Sequence, residues 1–217
     1  MLHYITINII SELICLIFAI ICLIKDTNIA WRSMIVYMAI TCMTELDGLY
    51  VELKTHNNQW VYNIFLVAEA GFTTLMFASL LSKYTGKLLI ILGLAVFCIL
   101  YIYELIAHGF LVYNYFTYKV MSFVFVLYSL YFFYLLLKDD DYIRLNRSSS
   151  FWWVSGALFF YFGNTACNLF DGFLGSVKIF NNESLTYFIY KVLNVLLYGC
   201  WGYSFICRKW ETTTSKA

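Results

Sequence analysis

The sequence predicts an all-α polytopic membrane protein, a bundle of seven transmembrane helices with its N-terminus outside and its C-terminus in the cytoplasm. Three observations predict this class. The chain of 217 residues is 62% hydrophobic and only 12% charged, its apolar runs have the length of a bilayer span, and its basic residues fall in alternate breaks. Soluble proteins carry about 25% charged residues. A net charge of +1 also excludes the basic surface of a nucleic-acid-binding protein.

Apolar runs of about 17–25 residues, long enough to cross the hydrocarbon core of a bilayer, define the elements in order. The seven runs lie at about 4–24, 34–53, 60–82, 88–108, 113–137, 151–174 and 184–207. Polar breaks separate them at 25–28, 54–58, 83–87, 108–109, 138–150 and 176–183. The fourth break is the least polar, and without it the chain would have six spans and its C-terminus would change sides. The first run lacks basic residues before it, so we expect an uncleaved helix rather than a signal peptide.

The distribution of Lys and Arg predicts the orientation, because cytoplasmic loops are enriched in both. One set of alternate breaks, together with the tail, carries ten basic residues: Lys25, Arg32, Lys83, Lys87, Lys138, Arg144, Arg147, Arg208, Lys209 and Lys216. The other set carries only Lys54 and Lys178. This difference places the N-terminus outside and the C-terminus in the cytoplasm of a multi-pass inner-membrane protein.

Ionisable side chains within the spans are costly to insert and therefore indicate functional positions. All of them fall in the outer half of the predicted bundle: Glu12, Glu45, Asp47, Glu69, Glu104, Asp171, Lys119 and Lys191. The inner half is apolar. This arrangement predicts a polar pocket that opens outward above a closed floor.

Helical spacing places many of these residues on shared faces with other polar side chains, and such faces should turn away from lipid. From these shared helix faces we predict a ligand-binding site that consists of Glu12, Glu45, Asn63, Glu69, Lys119, Asn164, Asn168, Asp171, Lys191 and Asn194. The alternative is that polar side chains only hold the helices together. For the deeper positions the sequence leaves both interpretations open, whereas Glu104 and Asp47 are expected to be solvated near the surface.

The charges within the spans indicate what such a pocket would bind. Six acids against two lysines leave a net charge of −4 if all are ionised, which a low-dielectric bundle does not tolerate. Water, protonation of some carboxylates or a bound cation would resolve this excess. A small cationic or amine-bearing ligand is the simplest occupant, and aromatic side chains would favour it through cation–π contacts.

The sequence lacks the motifs of several other classes. Lys191, placed opposite Glu69, raises the hypothesis of a retinal Schiff base, but the arginine and the Asp-Trp pair of microbial rhodopsins are absent. The three histidines are scattered and no nucleophile motif is present, so we expect neither a zinc site nor any other cofactor. The seven cysteines lie in apolar runs and form no CxxC pair. We therefore expect them to act as small apolar side chains in the helix packing and not to form disulfides.

Short motifs across nearly the whole chain resemble a large family of uncharacterised seven-helix inner-membrane proteins common in Bacteroidota. They are Ser11-Glu12-Leu13, Thr44-Glu45, NQWVYNIFLVAE at 58–69, Phe151-Trp152, GALFFYFGN at 156–164, Val192-Leu193-Asn194 with Tyr198, and Arg208-Lys209-Trp210. The resemblance implies a compact seven-helix bundle and no established activity. Lys191 and Asp171 do not belong to this pattern.

Together these features predict a receptor-like or sensory module, rather than an enzyme, that binds a small ligand or cation from outside. Short loops and a short tail leave no room for an output domain, so we expect a signalling partner in the membrane or the cytoplasm. A transporter of small solutes, ions or protons is the alternative, and it would need a polar path through the inner half. A carboxylate-dependent intramembrane lipid enzyme is the second alternative.

Overall fold

The computed structural model describes residues 7–82, 88–139, 144–179 and 184–214. Within these ranges the chain is helical and has no β-strand, which confirms the predicted all-α class. The helices are α1 (Ile7–Leu23), α2 (Ile29–Thr55), α3 (Gln59–Leu81), α4 (Leu88–His108), α5 (Tyr115–Lys138), α6 (Ser149–Leu169), α7 (Asp171–Leu174) and α8 (Leu185–Thr214). A 3-10 helix, Leu145–Arg147, precedes α6.

Four helices, α2 to α5, are long and apolar enough to cross a membrane by length and composition. α1 is also apolar but has only 17 residues in the described part of the chain. The structure thus has the character of a membrane protein with several spans.

The long helices pack in a closed ring in the order of the sequence. Each packs against the next, from α1 to α6, and α8 contacts both α6 and α1. α4 lies at the periphery, since Phe97 and Glu104 are its only buried residues. The hydroxyl of Tyr128 on α5 donates to the backbone oxygen of Leu89 at the start of α4 (3.0 Å), while the end of α4 contacts the start of α5. The two helices are therefore antiparallel.

The least polar of the predicted breaks separates two distinct helices, α4 and α5. α4 ends at His108, and Gly109 adopts a φ of 79°, a left-handed conformation in which glycine carries no steric penalty. The Gly109 N–H donates to the oxygen of Leu105 (3.0 Å), which closes the last turn. The chain then turns back into α5 at Tyr115.

Three helix boundaries differ from those predicted. α2 begins at Ile29 instead of 34, because the Asn28 side chain accepts hydrogen bonds from the first N–H groups of the helix. The predicted span 151–174 is interrupted after Leu169 and continues as the four-residue α7. α8 continues to Thr214, seven residues past the predicted end at 207, and its Glu211 carboxylate accepts from the N–H (2.8 Å) and the hydroxyl (2.7 Å) of Ser149.

Large aromatic side chains fill the centre of the ring. Trp153 of α6 and Trp201 of α8 are fully buried, and their rings stack in parallel at 5.3 Å. The Trp201 indole N–H donates to the backbone oxygen of Trp153 (3.1 Å). Phe77 of α3 packs edge-on against Trp153, and Tyr37 of α2 against Trp201. These aromatic side chains, here called the aromatic layer, form a continuous and closely packed core that begins at Tyr37.

Candidate functional site

A cavity of about 220 Å³ lies on the other side of Tyr37 from the aromatic layer. Side chains from α1, α2, α3, α5, α6 and α8 line it, together with Tyr113 from the turn between α4 and α5. Five residues of the predicted site are among them: Glu12, Glu45, Glu69, Asn164 and Asn194. Each of these comes from a different helix, so the ring brings together polar positions that are far apart in the sequence.

The three carboxyl groups of the cavity have different partners. Glu12 is 2% exposed, and its Oε2 has no hydrogen-bond partner. Glu45 of the neighbouring α2 is close enough to interact electrostatically with Glu12. Glu69 is 6% exposed and accepts a hydrogen bond from the Tyr161 hydroxyl (2.9 Å). Buried polar atoms in folded proteins are almost always paired, so the unpaired Oε2 of Glu12 is a candidate to accept a hydrogen bond from a bound group.

Amide groups add further acceptors to the cavity. Asn164 donates from Nδ2 to the Tyr118 hydroxyl (2.8 Å), while its Oδ1 is buried without a partner. Asn8, one helical turn before Glu12, also has a buried, unpaired Oδ1. Asn194 donates to the backbone oxygen of Tyr190 in its own helix (2.9 Å). The buried, unpaired atoms of the residues that line the cavity are thus all oxygens, which accept hydrogen bonds.

Among the residues described, the cavity is lined by no Lys, Arg or His side chain. The predicted lysines do not reach it. Lys119 is exposed on the outside of α5, and the Lys191 ammonium lies over the ring of Tyr187 at 4.2 Å. Lys191 and Glu69 therefore do not form the pair that a retinal Schiff base and its counter-ion would need.

The two lysines miss the cavity although other polar residues of the same predicted helix faces are turned inward. On α5 the inward positions are Tyr118 and Ser122, not Lys119. On α8 the cavity is lined by Tyr190, Asn194 and Tyr198, so that Lys191 lies on the adjacent face.

Asn63, also part of the predicted site, organises the turn between α4 and α5 rather than the cavity. Its Nδ2 donates to the backbone oxygens of Phe110 (2.9 Å) and Val112 (2.8 Å), and its Oδ1 accepts from the Asn114 N–H (3.0 Å). All hydrogen-bonding groups of this fully buried amide are thereby engaged. Asn63 therefore has a structural role.

Glu104 likewise differs from expectation, because it is buried and not solvated. Its two carboxylate oxygens accept from the N–H groups of Phe116 (3.1 Å) and Thr117 (2.7 Å). A carboxylate at this position satisfies the free donors of the first turn of α5 and stabilises the helix terminus. Asp47 of α2 is exposed, as expected.

The last two predicted residues lie near the end of α6. Asn168 is half-buried, its Nδ2 has no partner, and it does not line the cavity. Asp171 begins α7, but its side chain lies outside the described part of the structure.

Aromatic residues form most of the remaining cavity wall, and several were not predicted from the sequence. The rings are those of Tyr37, Tyr62, Phe65, Tyr113, Tyr118, Phe160, Tyr190 and Tyr198. The hydroxyls of Tyr198 and Tyr62 lie beside the carboxyls of Glu12 and Glu45. Spacing held a signal for Tyr37, which precedes Thr41 and Glu45 at intervals of four on α2. Tyr113 carried no such signal, because it lies in a turn.

Comparison of the chain with protein-family models, with curated proteins and with solved structures finds no match in any of the three. Function must therefore be inferred from the cavity itself. Across the described residues, no three His, Cys, Asp or Glu side chains converge closely enough to hold a metal ion. The site is a cavity that presents carboxyl and amide oxygens between aromatic rings.

Proposed function

We propose that the chain crosses the inner membrane seven times, with its N-terminus outside, and that the cavity opens to that side. The excess of Lys and Arg in alternate breaks supports this orientation. Glu12 is the sixth residue of α1 and Asn194 the tenth of α8, whereas Glu69, the eleventh of α3, lies near the middle of its helix. At about 1.5 Å per residue, these positions span the outer half of a bilayer down to its centre.

The proposed function is reception of a small cationic ligand from outside the cell. The observation that carries the proposal is that Glu12, Glu45 and Glu69 line one cavity, and that no basic side chain of the described residues lines it with them. Burying uncompensated negative charge is costly, and a cation in the cavity removes that cost. Tyrosine rings such as those of Tyr37 and Tyr198 provide the faces that attract cations.

Reception fits the cavity better than transport does. A transporter needs a polar path that continues through the inner half of the molecule. Below the cavity, Tyr37 contacts Trp201, which stacks on Trp153, and the buried core continues from there. A cavity with a closely packed floor is suited to binding without passage. The bound state would then be communicated to a separate signalling protein.

Ligand-dependent stabilisation of the purified protein tests this function. In detergent micelles, a panel of small organic amines and alkali cations is added while thermal unfolding is followed. We expect at least one organic amine to raise the melting temperature, because a ligand that binds only the folded state stabilises it. Glu12→Gln, which removes one negative charge with little change of shape, should abolish the shift.

Asp47→Asn is the matched control, since it removes a carboxylate from an exposed position on α2 and should leave the shift intact. The proposal is wrong if no cation stabilises the unmodified protein, or if both variants respond as it does. Uptake of the same amine into proteoliposomes would instead establish transport.

A further inference from the structure

The acceptor groups of the cavity fall into two separate clusters. The first consists of Glu12 and Asn8, one turn apart on α1, with Glu45 of α2 beside them. Two oxygens of this cluster, Oε2 of Glu12 and Oδ1 of Asn8, are buried and have no partner. An ammonium group has three N–H donors and no acceptor, so it matches such a cluster.

The second cluster is formed by Glu69 of α3 and Asn164 of α6. Tyr161, which donates to Glu69, lies three residues before Asn164 and so shares its helix face. Asn164 donates in turn to the Tyr118 hydroxyl, and Tyr118 is close enough to Glu69 to interact with its charge. The Oδ1 of Asn164 is buried and unpaired. This cluster thus repeats the combination of a carboxylate with a free amide oxygen.

Tyr37 lies between the two clusters. Its hydroxyl is near enough to both Glu12 and Glu69 to interact with each charge. Its ring stacks on Phe65, another residue of the cavity wall. The ring faces between the clusters are apolar surfaces, which suit methylene groups. The cavity is therefore negative at two places and aromatic between them.

The size of the cavity limits the length of the occupant. Its volume of about 220 Å³ lies below the roughly 300–1,000 Å³ of pockets that take drug-sized ligands, so a small molecule suits it. A linear chain of four or five carbons with an ammonium group at each end is such a small molecule.

We propose that the cavity recognises a short linear diamine, with one ammonium group between Glu12 and Glu45 and the other beside Glu69. This inference rests on the proposed function, since it specifies which cation the cavity takes. The like charges of Glu12 and Glu45 repel each other, and an ammonium group between them relieves that repulsion. The second ammonium group compensates Glu69 and donates to Asn164. The methylene chain lies against Tyr37.

The test compares three probes of equal chain length on the purified full-length protein by isothermal titration calorimetry. They are diaminobutane, butylamine and butanediol, which carry two, one and no positive charges. We expect diaminobutane to bind at least about tenfold more tightly than butylamine, and butanediol not to bind. An eight-carbon diamine, whose ammonium groups are about twice as far apart, should bind more weakly than diaminobutane.

Glu69→Gln isolates the second cluster. In this variant, diaminobutane should bind roughly 30-fold more weakly, because one end of the ligand loses its buried ion pair. Butylamine, which uses the Glu12–Glu45 end, should bind as it does to the unmodified protein. Asp47→Asn is again the matched control and should change neither affinity. If Glu69→Gln does not fold, the comparison of probes on the unmodified protein decides alone.

The failure of this inference is distinguishable from the failure of the proposed function. Equal affinities for diaminobutane and butylamine in the unmodified protein would overturn the diamine while leaving a cation-binding cavity in place. An equal loss of both affinities in Glu69→Gln would also overturn it, because the two clusters would then act as one. Absence of binding by every cation would overturn both proposals.

Discussion

Glu12 shows how a single residue identifies the cavity as a site. A carboxylate that only held helices together would have its oxygens paired, yet Oε2 of Glu12 is buried and unpaired. Asn63 is the contrasting case, because its amide is fully engaged by the turn between α4 and α5. Both residues were predicted from the same kind of sequence pattern, and only the surrounding partners separate the two roles.

Replacing Glu12 by Gln should stabilise the ligand-free protein. Glu12 has no basic partner among the described residues, so its ionised form is costly to bury, and at alkaline pH, where that form is populated, we expect the free energy of unfolding to rise by about 1 kcal/mol. Denaturant unfolding in detergent micelles measures this difference. Asp47→Asn, at an exposed position, should stay within about 0.5 kcal/mol of the unmodified protein. A loss of stability in Glu12→Gln would indicate a structural carboxylate instead.

Residue type and spacing alone could predict part of the candidate site. Polar residues within apolar runs avoid contact with lipid and therefore turn toward the interior of the bundle. This rule identified five residues that line the cavity: Glu12, Glu45, Glu69, Asn164 and Asn194. Lys119 and Lys191 do not line the cavity, and spacing alone does not show where such long side chains carry their charge. Cavity residues that lie in turns, such as Tyr113, could not be predicted, because the positions of turn residues follow no helical period.

At the scale of the element, helices α6 and α8 approach each other closely at Gly156, which has no side chain to separate them. A Cβ atom added to Gly156 would lie 2.8 Å from the Cβ of Cys200 and 3.3 Å from the backbone oxygen of Leu197. Small residues at such positions let helix backbones pack closely within a membrane. Helix boundaries, by contrast, are set by capping residues, and Asn28 is a cap that the apolar run at 34–53 did not include.

Replacing Gly156 by Ala should therefore destabilise the protein by about 1–3 kcal/mol, since the added methyl group has no space between the helices. Gly199→Ala is the matched control on α8, because nothing lies within 4 Å of its added Cβ. We expect that control to be neutral or slightly stabilising, as alanine is the better helix former. Unfolding of the two variants under the same conditions measures the difference. Equal stabilities would contradict the close approach of α6 and α8.

At the scale of the whole molecule, composition predicts the environment and the all-α class, while the order of packing emerges only in three dimensions. No sequence pattern indicated that α4 would be peripheral or that α8 would contact both α1 and α6. The reason is that an apolar face looks the same whether it meets lipid or another helix. Aromatic contacts such as that between Trp153 and Trp201 select one arrangement from many.

Reporter fusions test the orientation of the whole chain. Green fluorescent protein fused after residue 217 should fluoresce, because it folds in the cytoplasm. Alkaline phosphatase inserted after Asn57 should be active, because that break is predicted to lie outside. Phosphatase inserted after Asn146, in a break with several basic residues, is the control and should be inactive. The reverse pattern of reporter activities would show that the chain has the opposite orientation, with the cavity on the cytoplasmic side.

Arg208 near the end of α8 forms a two-pronged ion pair with Asp26 in the turn after α1, at 2.7 and 3.2 Å. The partners are separated by 182 positions in the sequence. Translation reaches Arg208 only after Asp26 and all the helices between them have been made, so the ion pair that joins α8 to the turn after α1 can form only then. A chain truncated before Arg208 would lack this ion pair, and its α1 would be held in the ring by fewer contacts.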